Sequence, residues 1–235
     1  MKLYKFLMVI LFSYITVSGQ VNEISKNFWQ VGFTFGEIPV LSGSFKPGVT
    51  FAYYFNEKLS AEFTFQMKDY LNRDDESFNA VKIGYDGLIS SKESTGERLF
   101  LGFRFKPVKW SPYLTAGFVL NFTDKETIKF DDRKRIVGSN TYEGELEIVQ
   151  KRKTGLAPAF GIGYQYDFDN GISLNTSFAM AFFNNIPSPV TEINSADEVS
   201  EEDRNLLDRK LETTYKDNFH NRYHIFNLGI IYRLK

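Results

Sequence analysis

Residues 98–122 read RLFLGFRFKPVKWSPYLTAGFVLNF, and the order of large and small side chains in this stretch decides the fold. Leu99, Leu101, Phe103 and Phe105 alternate with Arg98, Gly102, Arg104 and Lys106, with Phe100 as the exception. Past a turn at 107–111, Leu114, Ala116, Phe118, Leu120 and Phe122 alternate with Tyr113, Thr115, Gly117, Val119 and Asn121. Period-two alternation sorts the two kinds onto opposite faces of a strand. The stretch therefore predicts an antiparallel hairpin with one bulky apolar face and one face of small and polar residues.

Six further segments repeat the pattern. Near 28–36, Trp29, Val31, Phe33 and Phe35 oppose Gln30, Gly32 and Thr34; near 47–55, Val49, Phe51, Tyr53 and Phe55 oppose Thr50, Ala52 and Tyr54. Near 59–70, Leu59, Ala61, Phe63, Phe65 and Met67 oppose Ser60, Glu62, Thr64, Gln66 and Lys68. Segments at 155–167, 171–183 and 222–234 behave alike, so with the central hairpin (97–106 and 112–123) there are eight.

The connections alternate in length. Residues 56–58, 107–111 and 168–170 are tight turns, 37–45 is intermediate, and 71–96, 124–153 and 184–221 are long and charged. An even number of antiparallel strands, with short turns at one end and long loops at the other, predicts an all-β, eight-stranded antiparallel up-and-down transmembrane β-barrel. In that topology both termini and the short turns are periplasmic and the long loops extracellular. Outward aromatics then collect at two heights, as rings at headgroup level should: Trp29, Phe55, Phe105, Tyr166 and Tyr232 at the periplasmic ends, Phe35, Phe65, Phe122, Phe182 and Phe226 at the outer ends. A soluble lipocalin-type barrel would also alternate, with its apolar face inward. Eight strands enclose only enough room for side chains, and the Gly-, Ala-, Ser- and Thr-rich face suits that space where the bulky one would overfill it.

Composition narrows the function. The 235-residue chain has 28 Lys plus Arg against 29 Asp plus Glu, a net charge of −1, and no Cys. There is no basic excess for nucleic acid, and no thiol chemistry, disulfide or lipid-modified cysteine. A mean hydropathy of −0.28 with 24% charged residues excludes a helical membrane protein. Lys2 and Lys5 ahead of an apolar run from Phe6 to Val17, then Val17-Ser18-Gly19, predict a signal peptide over 1–19. Residues 20–235 are then the barrel domain.

Two stretches carry a resemblance. Asn227-Leu-Gly229-Ile-Ile-Tyr232-Arg-Leu234 resembles the C-terminal signal read by the outer-membrane barrel assembly machinery: polar, any, Gly, any, any, aromatic, any, hydrophobic, here followed by Lys235. The 98–122 hairpin, with its Pro-containing turn, Pro-Tyr-Leu and Ala-Gly pair, resembles the small outer-membrane β-barrel domain family of the OmpA and OmpX type of Gram-negative bacteria. The resemblance implies a cell outer-membrane protein and a functionally mixed family.

Candidate chemistry is sparse. Glu62 and Arg104 share depth and facing, and a charge in a narrow interior is costly unless paired, so they are expected to form a lumen ion pair that plugs the barrel or gates it. Lys68, Arg98, Lys106, Asp167 and Arg233 are read as solvated rim residues. His220 and His224, roughly 13 Å apart on a strand, are too distant for one metal. The outward parity of His224 resembles the placement in lipid A deacylases, but no serine shares its face on the neighbouring strands. Asp74-Asp75-Glu76, Asp131-Asp132 and Glu201-Glu202-Asp203 lack the spacing of a calcium loop and read as solvated loop faces. Val199, Leu206, Leu207 and Leu211 predict an amphipathic helix over 197–212. Ile128, Phe130, Tyr142, Leu146 and Ile148 around Gly138-Ser139-Asn140 predict a hairpin extension.

The expectation is a non-enzymatic barrel without cofactor or metal, acting in membrane integrity, adhesion or partner binding. Its partners would be outer-membrane lipids and lipopolysaccharide, the barrel assembly machinery, and extracellular or envelope proteins, with no nucleic acid. A subunit of a secretion or transport machine, a narrow small-solute channel and, more remotely, a lipid A-modifying enzyme stay open as alternatives.

The expected location is directly measurable. N-terminal sequencing of the mature protein should begin at Gln20, and the protein should float with outer membranes and migrate faster unheated than boiled. Recovery as a soluble periplasmic species with no heat-dependent mobility would contradict it.

Overall fold

The computed structural model describes residues 27–36, 46–72, 83–108, 112–182, 190–195, 198–218 and 222–234. The signal segment 1–19, the acidic run Asp74-Asp75-Glu76 and His220 lie outside the described residues. In chain order the strands are β1 (Phe28–Gly36), β2 (Lys46–Tyr54), β3 (Leu59–Gln66), β4 (Asp69–Asn72), β5 (Leu88–Thr95), β6 (Arg98–Phe105), β7 (Tyr113–Asn121) and β8 (Asp124–Phe130). They continue as β9 (Arg135–Val137), β10 (Asn140–Tyr142), β11 (Leu146–Arg152), β12 (Gly155–Asp167), β13 (Ile172–Phe182) and β14 (Val190–Ser195). Helix α1 (Glu201–Asn218) and strand β15 (Arg222–Leu234) complete the chain.

Eight of these strands close a barrel in the order β1-β15-β13-β12-β7-β6-β3-β2. All neighbours are antiparallel, and β1 pairs with both β2 and β15, from Trp29 opposite Leu234 to Gly36 opposite Asn227. The sorting of faces is the one the alternation demands. Phe33 is 73% exposed, and Trp29, Leu101, Phe118, Leu156, Phe160 and Ile230 also point outward. Gln30, Thr50, Glu62, Thr64, Arg104, Thr115 and Asn175 are buried inside. A continuous belt of exposed large apolar side chains is what a lipid-facing wall requires.

The long connections depart from the sequence expectation. They are not plain loops: 71–96, 124–153 and 184–221 hold β4 in part, β5, β8, β11, β14 and α1. The extra strands form a second sheet in the order β14-β11-β8-β5-β4, which repeats the barrel order β13-β12-β7-β6-β3. One wall of the barrel thus continues past the rim. Short breaks separate the two layers, at 67–68, 96–97, 122–123 and 153–154. At the break the Phe122 amide donates to the Glu97 carbonyl (2.9 Å) and the Gly96 amide to Asp124 Oδ1 (2.6 Å). Segments such as LISSKEST and DKETIKF read as loops because a sheet beyond the bilayer keeps a wet face and needs no apolar belt.

This annex has its own core. Ile128 and Phe130 of β8, Leu146 and Ile148 of β11, Val137, Ile83, and Val199, Leu207 and Leu211 from α1 and its approach are all buried together. The hairpin extension and the amphipathic helix are therefore both present, the helix over 201–218 rather than 197–212. Leu211 is fully buried, and removing a buried Leu side chain costs about 2–5 kcal/mol. Leu211→Ala should strip exchange protection from α1, β8 and β11 while the barrel keeps its heat-modifiable mobility; joint loss of both would show one cooperative unit instead of two cores.

Candidate functional site

The first candidate is the lumen. Glu62 lies on β3 opposite Gly102, and Arg104 on β6 opposite Ser60, so the pair meets along the diagonal of the hairpin. The contact is bidentate: Arg104 Nε donates to Glu62 Oε2 and Nη2 to Oε1, both at 2.6 Å. Both side chains are almost wholly buried. Arg104 Nη1 also donates to Gln165 Oε1 (3.2 Å), and its guanidinium stacks 4.6 Å from the Tyr113 ring centroid. A Cβ at position 163 would collide with that ring, so Gly163 of β12 makes the space that lets Tyr113 lie against Arg104. The network extends through Gln165 Nε2 to Asp167 (2.7 Å), Thr64 to Glu62 (3.1 Å) and Tyr113 to Asn175 (2.7 Å).

Further layers pack above and below the pair. Toward the short turns, Phe28 stacks on Tyr54 with centroids 4.4 Å apart, and Arg233 sits 4.3 Å from the Phe28 ring. Above the ion pair, Phe100, Val119, Ala157, Ala159 and Ala181 form a small apolar plug. Phe100, the one residue that breaks the alternation of β6, thus points into the lumen. Higher again, Gln66 Nε2 donates to Asn227 Oδ1 (2.7 Å) and Arg98 Nε to Asn121 Oδ1 (2.9 Å). Lys46, fully buried, reaches the Thr95 and Gly96 carbonyls at 3.3 and 2.5 Å.

Several of the sequence readings change here. Arg98 is not a solvated rim residue but is buried and bonded, because the second sheet continues the wall above it. Lys106 is partly buried and lies 3.9 Å from Asp167, while Lys68 is exposed as expected. Trp29, Phe55, Phe105, Tyr166 and Tyr232 are outward, between 42% and 55% exposed, and gather at the short-turn end. Asn227 and Gly229 of the proposed assembly signal face Gly36 and Thr34 across the closing seam, and Tyr232 and Leu234 point outward in the same strand. His224 pairs in register with Met180. Among the described residues no three His, Asp or Glu side chains are grouped to hold a metal.

The second candidate is the annex, where Asp203 is the principal correction: the acidic run at 201–203 reads as a solvated loop face, yet Asp203 is fully buried. Its carboxylate accepts hydrogen bonds from the Tyr142 hydroxyl (2.5 Å), the Ser139 amide (2.6 Å), Asn140 Nδ2 (2.7 Å) and the Ser200 hydroxyl (2.9 Å). Ser200 caps α1 by accepting from the Asp203 amide at 3.2 Å. Gly138 adopts φ +66°, and a Cβ there would strike Asp203. A single carboxylate thus clasps the β9-β10 hairpin to the start of the helix. The Tyr142, Ser139 and Asn140 donors hold it well below the usual carboxylate range.

No family model and no curated protein matches the sequence. Among solved structures, the chain is similar to CarO2 of Acinetobacter baumannii, with a TM-score of 0.54 at 10% identity over 89% of this chain and 100% of that one. CarO of the same organism (0.49, 13% identity, 87% and 97%) and a major outer membrane protein from Thermus thermophilus (0.47, 12%, 89% and 100%) align more loosely. At such identity the likeness speaks to fold alone. The chain has the closed eight-stranded antiparallel fold of the small outer-membrane barrels, as the 98–122 hairpin implied.

The Asp203 clasp sets a pH dependence. A carboxyl whose folded pKa lies below its unfolded value of about 3.9 stabilises the fold above that value and loses the contribution as pH falls through the folded pKa. Exchange protection of α1 and the β9-β10 hairpin should therefore exceed that of Asp203→Asn near neutral pH, and the gap should narrow below about pH 4. A gap that stays constant into strong acid would show that the charge is not what holds the clasp.

Proposed function

We propose that the protein is an integral outer-membrane barrel that acts through binding at its outer face, neither conducting solutes nor catalysing a reaction. The observation that supports this reading is the stack of side chains packed inside the barrel. From the short-turn end upward, stacked aromatics, the Glu62–Arg104 pair, the Phe100 plug and the Gln66–Asn227 layer follow one another. The cavity at the short-turn mouth measures about 20 Å³, of the order of one water molecule. Among the described residues the elaboration lies at the other end, in a sheet and helix with a core of their own.

In this reading both termini and the short turns are periplasmic and the annex is extracellular. Residues 1–19 are removed on export, and Asn227, Gly229, Tyr232 and Leu234 address the chain to the assembly machinery. The aromatic rows sit at headgroup level beside outer-membrane lipids and lipopolysaccharide, and the annex meets extracellular or envelope partners. Membrane integrity and adhesion are the roles that need nothing beyond a rigid barrel and a structured outer face.

The test lies in the lumen pair. Losing one partner of a dry ion pair leaves an uncompensated charge, at a cost of roughly 3–5 kcal/mol. Glu62→Ala should destabilise the barrel more than Glu62→Ala combined with Arg104→Met, and the wild type should be silent in planar bilayers. Steady conductance from the wild type would promote the channel reading, and stabilities that simply add would remove the plug.

A further inference from the structure

Three separate stretches of chain meet at one cleft in the annex: the turn 84–86, the segment 133–139 that includes β9, and the face of α1 around 206–210. Its volume is about 680 Å³, inside the range of small-molecule sites of roughly 300–1,000 Å³. Arg133, Lys134, Arg135 and Lys210 line it together with Tyr85 and Leu206. We propose that this cleft binds an anionic saccharide, a sugar bearing phosphate or carboxylate groups. The inference rests on the surface-binding reading above and gives that binding a ligand class.

Charge is the first argument. Against four cations the lining holds one carboxylate, Asp86. Asp131 lies against Arg133 and Arg135, at 2.6 and 2.9 Å, and Glu143 lies 3.3 Å from Lys134. These pairs leave donors to spare. The Lys134–Glu143 contact is exposed on both sides, 70% and 65%, and such pairs hold their partners weakly. Lys210 donates to the Ile83 carbonyl (2.7 Å) and lies 5.2 Å from the Tyr85 ring, which leaves ammonium protons for a ligand. Arg135 is the built element. Its Nη1 donates to the Gly144 carbonyl and its Nη2 to Asp131, yet its buried Nε has no acceptor. Burial shuts that nitrogen off from the cleft, so what Arg135 lends a bound anion is a positive charge held in a fixed place.

Shape is the second argument. Tyr85, Ile136 and Leu206 give the cleft an apolar lining beside the cations. A sugar ring presents C–H faces to such a surface and hydroxyl edges to polar groups, whereas a bare inorganic ion would use only the charges. Phosphorylated sugars of the envelope and uronic acids of soluble glycans share this chemistry.

Calorimetry on the mature protein in phosphatidylcholine nanodiscs decides the matter with three probes: a delipidated, phosphorylated lipopolysaccharide core oligosaccharide, the same material dephosphorylated, and a soluble uronic acid oligosaccharide. At least one anionic probe should bind tenfold or more tightly than the dephosphorylated one, weakening as salt rises. Preference between the two anionic probes distinguishes an envelope source from a soluble one. Arg133→Gln with Lys210→Gln should weaken binding at least tenfold, and Lys129→Gln, on an exposed side chain bonded to Glu147, should leave it unchanged. If Lys210→Gln loosens α1 by hydrogen exchange, Lys134→Gln alone should still weaken binding several-fold. Equal binding of the dephosphorylated probe, no binding of any probe, or indifference to all cleft variants would overturn the proposal. A silent bilayer with no saccharide binding would sink this inference and spare the surface-binding reading, while wild-type conductance would sink that reading first.

Discussion

The narrowness of an eight-stranded lumen is the constraint on which the rest of this structure depends. An interior only wide enough for side chains cannot hydrate a charge, so a charge placed there must meet a partner. Arg104 meets Glu62 through two parallel hydrogen bonds and uses a third nitrogen on Gln165. Gly163 exists where a larger residue would evict the Tyr113 ring that covers the guanidinium. The small residues of the inner face are thus not padding; they set the volume left for a few large polar side chains to find one another.

The end of the barrel opposite the short turns is built differently. The wall β13-β12-β7-β6-β3 runs on past the barrel into β14-β11-β8-β5-β4 in the same order. Continuity fixes the second sheet without a separate docking interface. It also carries polar bonding across the rim: Arg98 bonds Asn121, Asn121 Nδ2 donates to Asp124, and Arg152 approaches Asp124 at 4.0 Å. A residue that would be wet at the mouth of a bare barrel is therefore enclosed here.

Legibility in the sequence follows the environment. The eight barrel strands stand within a few residues of the alternating segments, since a lipid wall and a packed interior impose opposite chemistries on successive residues. Glu62 and Arg104 are recognisable because mid-strand charges on an inner face are rare and must pair. The annex is only half legible. The apolar residues at 128–148 and 199–211 mark a hairpin and a helix, but β4 and β5 carry few large apolar side chains and read as loop. Arg98 and Asp203 mislead for one reason: their burial comes from distant chain, the wall of the second sheet and the β9-β10 hairpin, which local periodicity does not encode. Gln165, Tyr113 and Gln30 are visible on the inner face, but nothing in their spacing says that they belong to one network, in which Gln165 Nε2 also reaches Gln30 Oε1 at 3.4 Å.

Division of labour between the two cores follows from these placements. In the barrel, Phe100, Val119 and the facing alanines form one small apolar cluster, and Phe28, Ala52 and Tyr54 another, with the Glu62–Arg104 network as the polar part of the interior. In the annex, Leu207, Leu211, Ile128 and Ile148 bury side chains from water, which is the larger driving force per residue for a structure in contact with solvent. The Asp203 clasp adds specificity to that core, because the hairpin must be seated so that its three donors, Tyr142, Ser139 and Asn140, all reach one carboxylate of α1. The annex is therefore a preorganised surface, and anything that binds it would not bear the ordering entropy that unstructured loops of the same length would exact on binding.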